Sequence, residues 1–371
     1  MRALRHILTA LSRLFWWPAI VGGVFVMGCA YFALVKSFPA SPPGPRLFGS
    51  PEHVRDSFSR AFYLAASTRN AVTLVRAPGT DHMQLLLVDF ETGRKLRLGS
   101  DKSSLYSPYL SPDGKRLMFT RQSIEPTEFQ LVVCEIPDLV CRMLLKSPDV
   151  ITSAVEIPGQ RILYVSSPRR EPPGRKSYVN NDIWLLDPAG GPRRLTDFGL
   201  YELHGLSVSD RAIYFSGTGP RRGNPVITSY TNLDTNSDIY RLPFDPVNAS
   251  IELPKDPLAP LFVAPGLSTR VATSADETLV AFLRTRTDGA YRYNLVIEDR
   301  VQHTSRLFET SGVGYSQPVI IGRDVYAAVT NGDKVSIQVV RDAGPNTELL
   351  AVITDASLAG IATTELTIAP R

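Results

Sequence analysis

Residues 110–121 read Leu110-Ser111-Pro112-Asp113-Gly114-Lys115-Arg116-Leu117-Met118-Phe119-Thr120-Arg121, and they decide how the rest of the chain is read. Proline presets φ for a tight turn, Asp bonds backbone two residues on, and Gly takes the positive φ that closes a hairpin. Leu, Met, Phe and Thr then follow in a short β-prone run. The stretch is a turn between two strands, the first ending at Tyr109-Leu110.

Working outward, the same pairing of short runs recurs at 62–67 with 71–76, 153–157 with 161–166, 205–209 with 212–216, 271–274 with 279–284 and 318–321 with 325–330. Each of these six hairpins precedes a second one, at 85–98, 131–145, 182–196, 238–244 with a later return, 293–308 and 335–350. Equivalent residues Leu117, Ile162, Ile213, Val280 and Tyr326 are 45, 51, 67 and 46 residues apart. Four short strands per unit at such a period is the pattern of propeller blades. No amphipathic helix longer than two turns is found beyond residue 57. The expected fold is all-β, a six-bladed β-propeller over 58–371 preceded by an N-terminal transmembrane helix. Residues 358–368 are apolar enough for one more strand, expected to clasp the ring on the N-terminal blade.

At LSPDGKRLMFTR (110–121), NDIWLLDPAGGPRRLTD (181–197) and SDIYRLPFD (237–245) the chain resembles the TolB-like, WD-repeat-related β-propeller family. The resemblance covers roughly 58–355 and implies work in the cell envelope. Only the 111–114 turn is intact. Pro158-Gly159-Gln160, Ser209-Asp210-Arg211, Ala275-Asp276-Glu277 and Gly322-Arg323-Asp324 are degraded versions of it. If first strands line the channel, as in the family, the loops from second to third strand share one face.

The start of the chain is different in kind. LFWWPAIVGGVFVMGCAYFALV (14–35) is twenty-two residues without a charge, enough helix to cross a hydrocarbon core of ~30 Å. Arg2, Arg5 and Arg13 precede it and Lys36 follows, which puts the N-terminus in the cytoplasm and the rest in the periplasm of a bacterium. The expected organisation is a basic segment at 1–13, a single-pass inner-membrane anchor at 14–36, a Pro-rich stalk at 37–57, then the propeller. A lipoprotein signal ending at Cys29 and a cleaved secretory signal are the alternatives.

Composition narrows the function. At 43% hydrophobic and 20% charged, with 3 Cys, the 371 residues are neither disordered nor a disulfide miniprotein. Removing the four basic residues of the first 36 from the 40 Lys and Arg leaves 36, equal to the 36 Asp and Glu. A neutral body lacks the field that tracks phosphates, so no nucleic-acid partner is expected.

Two long loops, 167–181 and 217–237, are expected on the same face of adjacent units. Arg169, Arg170, Arg175, Lys176, Arg221 and Arg222 with Tyr178 and Tyr230 form a basic and aromatic patch there, suited to a protein or an acidic envelope component. Cys134 and Cys141 fall on paired strands, and an exported domain meets an oxidising compartment, so a disulfide is expected.

Signals for catalysis are sparse. Gly314-Tyr315-Ser316-Gln317-Pro318 lacks the second Gly of a nucleophile elbow. The five histidines have no ligand spacing, and the alternation Asn232, Asp234, Asn236, Asp238 has Ile239 where a calcium loop wants Gly. No metal and no cofactor are expected, and no appended hydrolase domain, since the last unit ends near 355. The expectation is a non-enzymatic, membrane-tethered docking scaffold. The alternative is a lyase- or glycosidase-like enzyme acting on glycans or peptides at the channel, using Glu156, Glu202 and His204.

Overall fold

The computed structural model describes residues 64–77, 82–99, 102–123, 128–167, 169–170, 177–178, 181–200, 202–218, 237–253, 261, 268–285, 293–309, 315–331, 334–343, 349–356, 363–366 and 368–369. All belong to the second of the chain's two units, Arg55–Arg371. The basic segment, anchor and stalk at 1–57 lie outside them. Among the described residues no helix is long and apolar enough to cross a membrane.

Strands fall into six antiparallel sheets in chain order. Blade 1 holds β1 (Leu64–Ala66), β2 (Asn70–Arg76), β3 (Met83–Asp89) and β4 (Lys95–Gly99), and blade 2 holds β5 (Ser103–Leu110), β6 (Arg116–Ser123), β7 (Glu128–Glu135) and β8 (Val140–Ser147). Blade 3 is β9 (Val150–Ile157), β10 (Arg161–Ser167), β13 (Asp182–Asp187) and β14 (Gly191–Arg194), with a two-stranded ribbon, β11 (Arg169–Arg170) and β12 (Ser177–Tyr178), between its second and third strands. Blade 4 is β15 (Glu202–Val208), β16 (Ala212–Thr218), β17 (Asp238–Asp245) and β18 (Ser250–Ile251). Blade 5 is β19 (Ser268–Thr273), β20 (Leu279–Thr285), β21 (Tyr293–Asp299) and β22 (Thr304–Phe308), and blade 6 is β23 (Val319–Ile321), β24 (Asp324–Asn331), β25 (Lys334–Val340) and β26 (Leu349–Ala356).

Why six sheets need one another is visible in the second strands. Leu117 and Phe119 pack toward blade 1 while Met118 packs toward blade 3. Ile213 and Phe215 pack toward blade 3, and Ala212 and Tyr214 toward blade 5. Alternate side chains leave opposite faces of a strand, so each sheet is apolar on both sides and is stable only between two neighbours. The core accordingly divides into six clusters, one for each pair of adjacent blades, including one between blades 6 and 1. First strands touch in a closed circuit, β1, β5, β9, β15, β19, β23 and back to β1. This is a closed six-bladed β-propeller.

Among the described residues, ring closure adds a fifth strand to each of two blades rather than completing one blade from both ends of the chain. At the outer edges of blades 1 and 2, β27 (Thr363–Glu365) pairs parallel with β4 and β28 (Ile368–Ala369) pairs parallel with β8. Leu366 and Ile368 pack against the core between those blades. The clasp expected on the N-terminal blade thus spans two blades.

First strands of blades 2 to 5 begin earlier than their sequence suggests. Ser107 (φ 49°), Gly205 (φ 65°) and Arg270 (φ 56°) sit at register shifts in β5, β15 and β19. A bulge inserts one residue and flips the alternation, which hides the front half of each strand from a period-two reading.

Candidate functional site

Strand β10 ends at Ser167 and β13 begins at Asp182, and the ribbon between them pairs Arg169 with Tyr178 and Arg170 with Ser177. Three of the eight predicted docking positions therefore stand on one ribbon at the end of blade 3, with the Arg169 and Tyr178 backbones directly opposed. Their side chains lie outside the described atoms, as do residues Arg175, Lys176, Arg221, Arg222 and Tyr230 entirely. The 219–236 connection of blade 4 leaves the equivalent end of its sheet, since it too joins a second strand to a third.

Below that face, blades 4 and 5 are knotted at the channel wall. The Ser216 hydroxyl, fully buried on β16, donates to the His204 carbonyl at 3.1 Å, lies 3.2 Å from Thr269 Oγ1 and accepts the Arg270 amide at 2.9 Å. Gly205 has to be glycine. A Cβ there would lie 2.6 Å from the Arg270 Cα, and its φ is positive. Burial, and then the Arg270 guanidinium, push the His204 imidazole down to about 3, so the ring is neutral at physiological pH.

At the other end of the sheets, turns lock onto neighbouring blades. The Ser111 to Gly114 turn and the Ser274 to Glu277 turn share one geometry. In each, Ser Oγ donates to the Asp two residues on, at 2.5 Å and 2.6 Å, and the fourth residue donates its amide to the Ser carbonyl. Gly114 has φ 70° and Glu277 φ 63°. Glycine suits that region, and at Glu277 the carboxylate is engaged in bonds across the blade wall. Glu277 accepts both nitrogens of the Arg241 fork at 3.0 Å, Ser209 Oγ at 2.7 Å and the Tyr214 hydroxyl at 3.0 Å. Burial pushes the Glu277 carboxyl up, but these bonds outweigh it and hold the group below the usual range.

Comparable pairs cross other walls. Arg116 of blade 2 meets Glu156 of blade 3 at 2.7 Å, Arg323 of blade 6 meets Asp299 of blade 5 at 2.7 Å, and Arg161 of blade 3 donates to the Pro246 and Val247 carbonyls of blade 4. Cys134 and Cys141 face each other on β7 and β8, joined by a disulfide. Asp182, 2% exposed, accepts bonds from Arg194, Thr196 and the Phe198 amide, so it anchors the connection after β14.

The candidate catalytic trio is not assembled as one pocket. Glu156 lies in the wall between blades 2 and 3, whereas His204 lies beside Arg270 between blades 4 and 5. Of Glu202 only the backbone is described. Ser316 is fully buried, accepts the Ala328 amide and donates to the Gln317 carbonyl, which is structural work. Residues 232, 234 and 236 lie outside the described set, and among the described residues no group of three or more His, Cys, Asp and Glu is placed to hold a metal ion. Sequence reasoning passed over Arg270 and Glu277. For Glu277 a signal was available, because a charged residue replaces the glycine of the repeated turn there.

The fold is similar to TolB from Acinetobacter baumannii, with a TM-score of 0.56 and 16% identity over 78% of this chain and 65% of that one. It is also similar to a puromycin-hydrolyzing peptidase of Mycobacterium tuberculosis, with a TM-score of 0.50 and 12% identity over 83% of this chain and 55% of the other. The chain thus spans less than two thirds of either, and at these identities the likeness is one of fold. No family model matches the chain, and no curated protein does.

Proposed function

We propose that the chain is an exported, inner-membrane-tethered propeller that docks a protein or cell-envelope component on the loop face of blades 3 and 4, with no chemistry of its own. The supporting observation is the β11–β12 ribbon, which lifts Arg169, Arg170 and Tyr178 together from the end of blade 3. Arginine and tyrosine are the usual anchors of such interfaces. The neutral body leaves this patch as the local basic feature. The charge-free run at 14–35, with its basic N-terminal flank, supports the tether.

A propeller enzyme working on glycans or peptides at the channel is the second reading, favoured by His204 on a channel strand. A general base works best with a pKa near the operating pH, and an imidazole held at about 3 is far from it. Glu156 stands in a different wall, between blades 2 and 3, and docking is preferred on that separation.

The test is in-cell crosslinking of the full chain against a variant in which Arg169, Arg170, Arg221 and Arg222 become Ser. A discrete crosslinked species should be lost from the variant while its membrane fractionation and melting temperature stay unchanged. An identical crosslinking pattern rejects the loop face. Release of the protein by alkaline carbonate rejects the tether.

A further inference from the structure

Between blades 2 and 3 lies a partly open cavity of about 90 Å³, several times the ~10–15 Å³ that suffices to hold one water. Two facing rows of side chains build it. Across blade 2, Tyr109, Met118, Val133 and Arg142 are successive cross-strand partners. Across blade 3, Glu156, Ile162 and Leu186 are partners in the same way. Cross-strand partners share a face, so the blade 2 row sets apolar Met118 and Val133 between Tyr109 and Arg142, and the blade 3 row runs from Glu156 to apolar Ile162 and Leu186. Met118, Val133, Ile162 and Leu186 are buried and belong to the core joining the two blades. The gap is therefore lined by core and rimmed by charge.

One cation of that rim is left over among the described residues. Arg116 is engaged with Glu156 at 2.7 Å, while Arg142 lines the same cavity, is exposed, and has no ion-pair or hydrogen-bond partner for its guanidinium among the described residues. The Asp113 and Glu135 carboxylates act on Glu156 beside Arg116, so Arg142 is the lining cation left to pair with an anion. Tyr109, pushed up to about 12 by burial and the Glu156 charge, keeps its proton and adds a donor to the lining.

We propose that this gap is a binding site for a short branched aliphatic carboxylate, its chain among Met118, Val133, Ile162 and Leu186 and its carboxylate on Arg142. A guanidinium grips a carboxylate with two parallel bonds, which fixes the head group while the apolar floor selects the tail. An amine of the same shape meets two cations, and acetate lacks the tail. The site goes beyond the docking reading, because it sits at the opposite end of β10 from the ribbon.

The probe is 4-methylpentanoate, titrated into the full chain in detergent micelles carrying ¹³C-methyl methionine, with the Met118 methyl as reporter. Saturable displacement of that signal is expected with the acid, and none with acetate or 4-methylpentanamide. Arg142→Gln, at an exposed position that leaves the fold intact, is expected to weaken binding at least tenfold, the lower end for a charge-assisted bond. A tripeptide ending in leucine separates the sources of this chemistry. Tighter binding than the free acid assigns the site to chain termini, and weaker binding assigns it to small acids. A Met118 methyl that stays still to 50 mM acid, or that moves identically in Arg142→Gln, overturns the proposal.

Discussion

Ile368 lies beside Cys141 in parallel register on the outer edge of the second blade. A segment that follows the sixth blade in sequence is thereby fixed to the second, and the ring is held shut from outside. The first blade is held in the same way, through Thr364 beside Leu98.

The clasp predicts a local effect. Ile368→Asp puts a charge against the core between blades 1 and 2, and should cost about 1–3 kcal/mol. Amide hydrogen exchange should rise at 97–99 and 141–142 and stay unchanged in blade 4. Uniform loss of protection across all six blades would show that the clasp is not local.

The Cys134–Cys141 bond closes a short loop, with a sequence separation of 7. Loop entropy for that length gives roughly 2 kcal/mol. Cys134→Ser with Cys141→Ser should lower the melting temperature by several degrees without changing the far-ultraviolet circular dichroism. Equal melting temperatures for wild type and the double variant would count against it.

Glu277 carries two opposed effects, and two substitutions separate them. Both Glu277→Ala and Glu277→Gly lose the bonds to Arg241, Ser209 and Tyr214, but only Ala keeps a Cβ at φ 63°. Urea unfolding should place Ala below Gly by about 1 kcal/mol, with both below wild type. Gly no more stable than Ala would mean that the turn relaxes instead.

The same group sets a pH dependence. Its folded carboxyl titrates below the ordinary value of 4.5, so its stabilisation is complete above the unfolded pKa and is lost as pH falls through the folded one. The gap between wild type and Glu277→Ala should be constant above about pH 5.5 and shrink below 4.5. A gap that widens on acidification contradicts the assignment.

Glycines with positive φ should differ by what surrounds them. Gly205→Ala meets the Arg270 backbone at 2.6 Å, whereas Gly191 at φ 75° has nothing within 4 Å of the new Cβ. Gly191→Ala should cost about 1–2 kcal/mol from the backbone alone. Gly205→Ala should cost clearly more, and should disturb the amide signals of 269–271.

Much of this fold was legible along the chain. The turn at Ser111 to Gly114, the two-sided apolar second strands and the repeat of four short runs specify six sheets with no free apolar face, because each requirement is local and periodic. The Cys134 and Cys141 pairing is local too, since a hairpin sets it. Tertiary structure alone decided the rest. Bulges at Ser107, Gly205 and Arg270 hide the start of the channel strands, since one inserted residue reverses which face a side chain takes. The Glu277 to Arg241 bond, the Arg116 to Glu156 pair, and the parallel clasp of Ile368 on Cys141 join segments far apart in the chain. Such contacts leave no period in the sequence, because they depend on which blade lies beside which once the ring has closed.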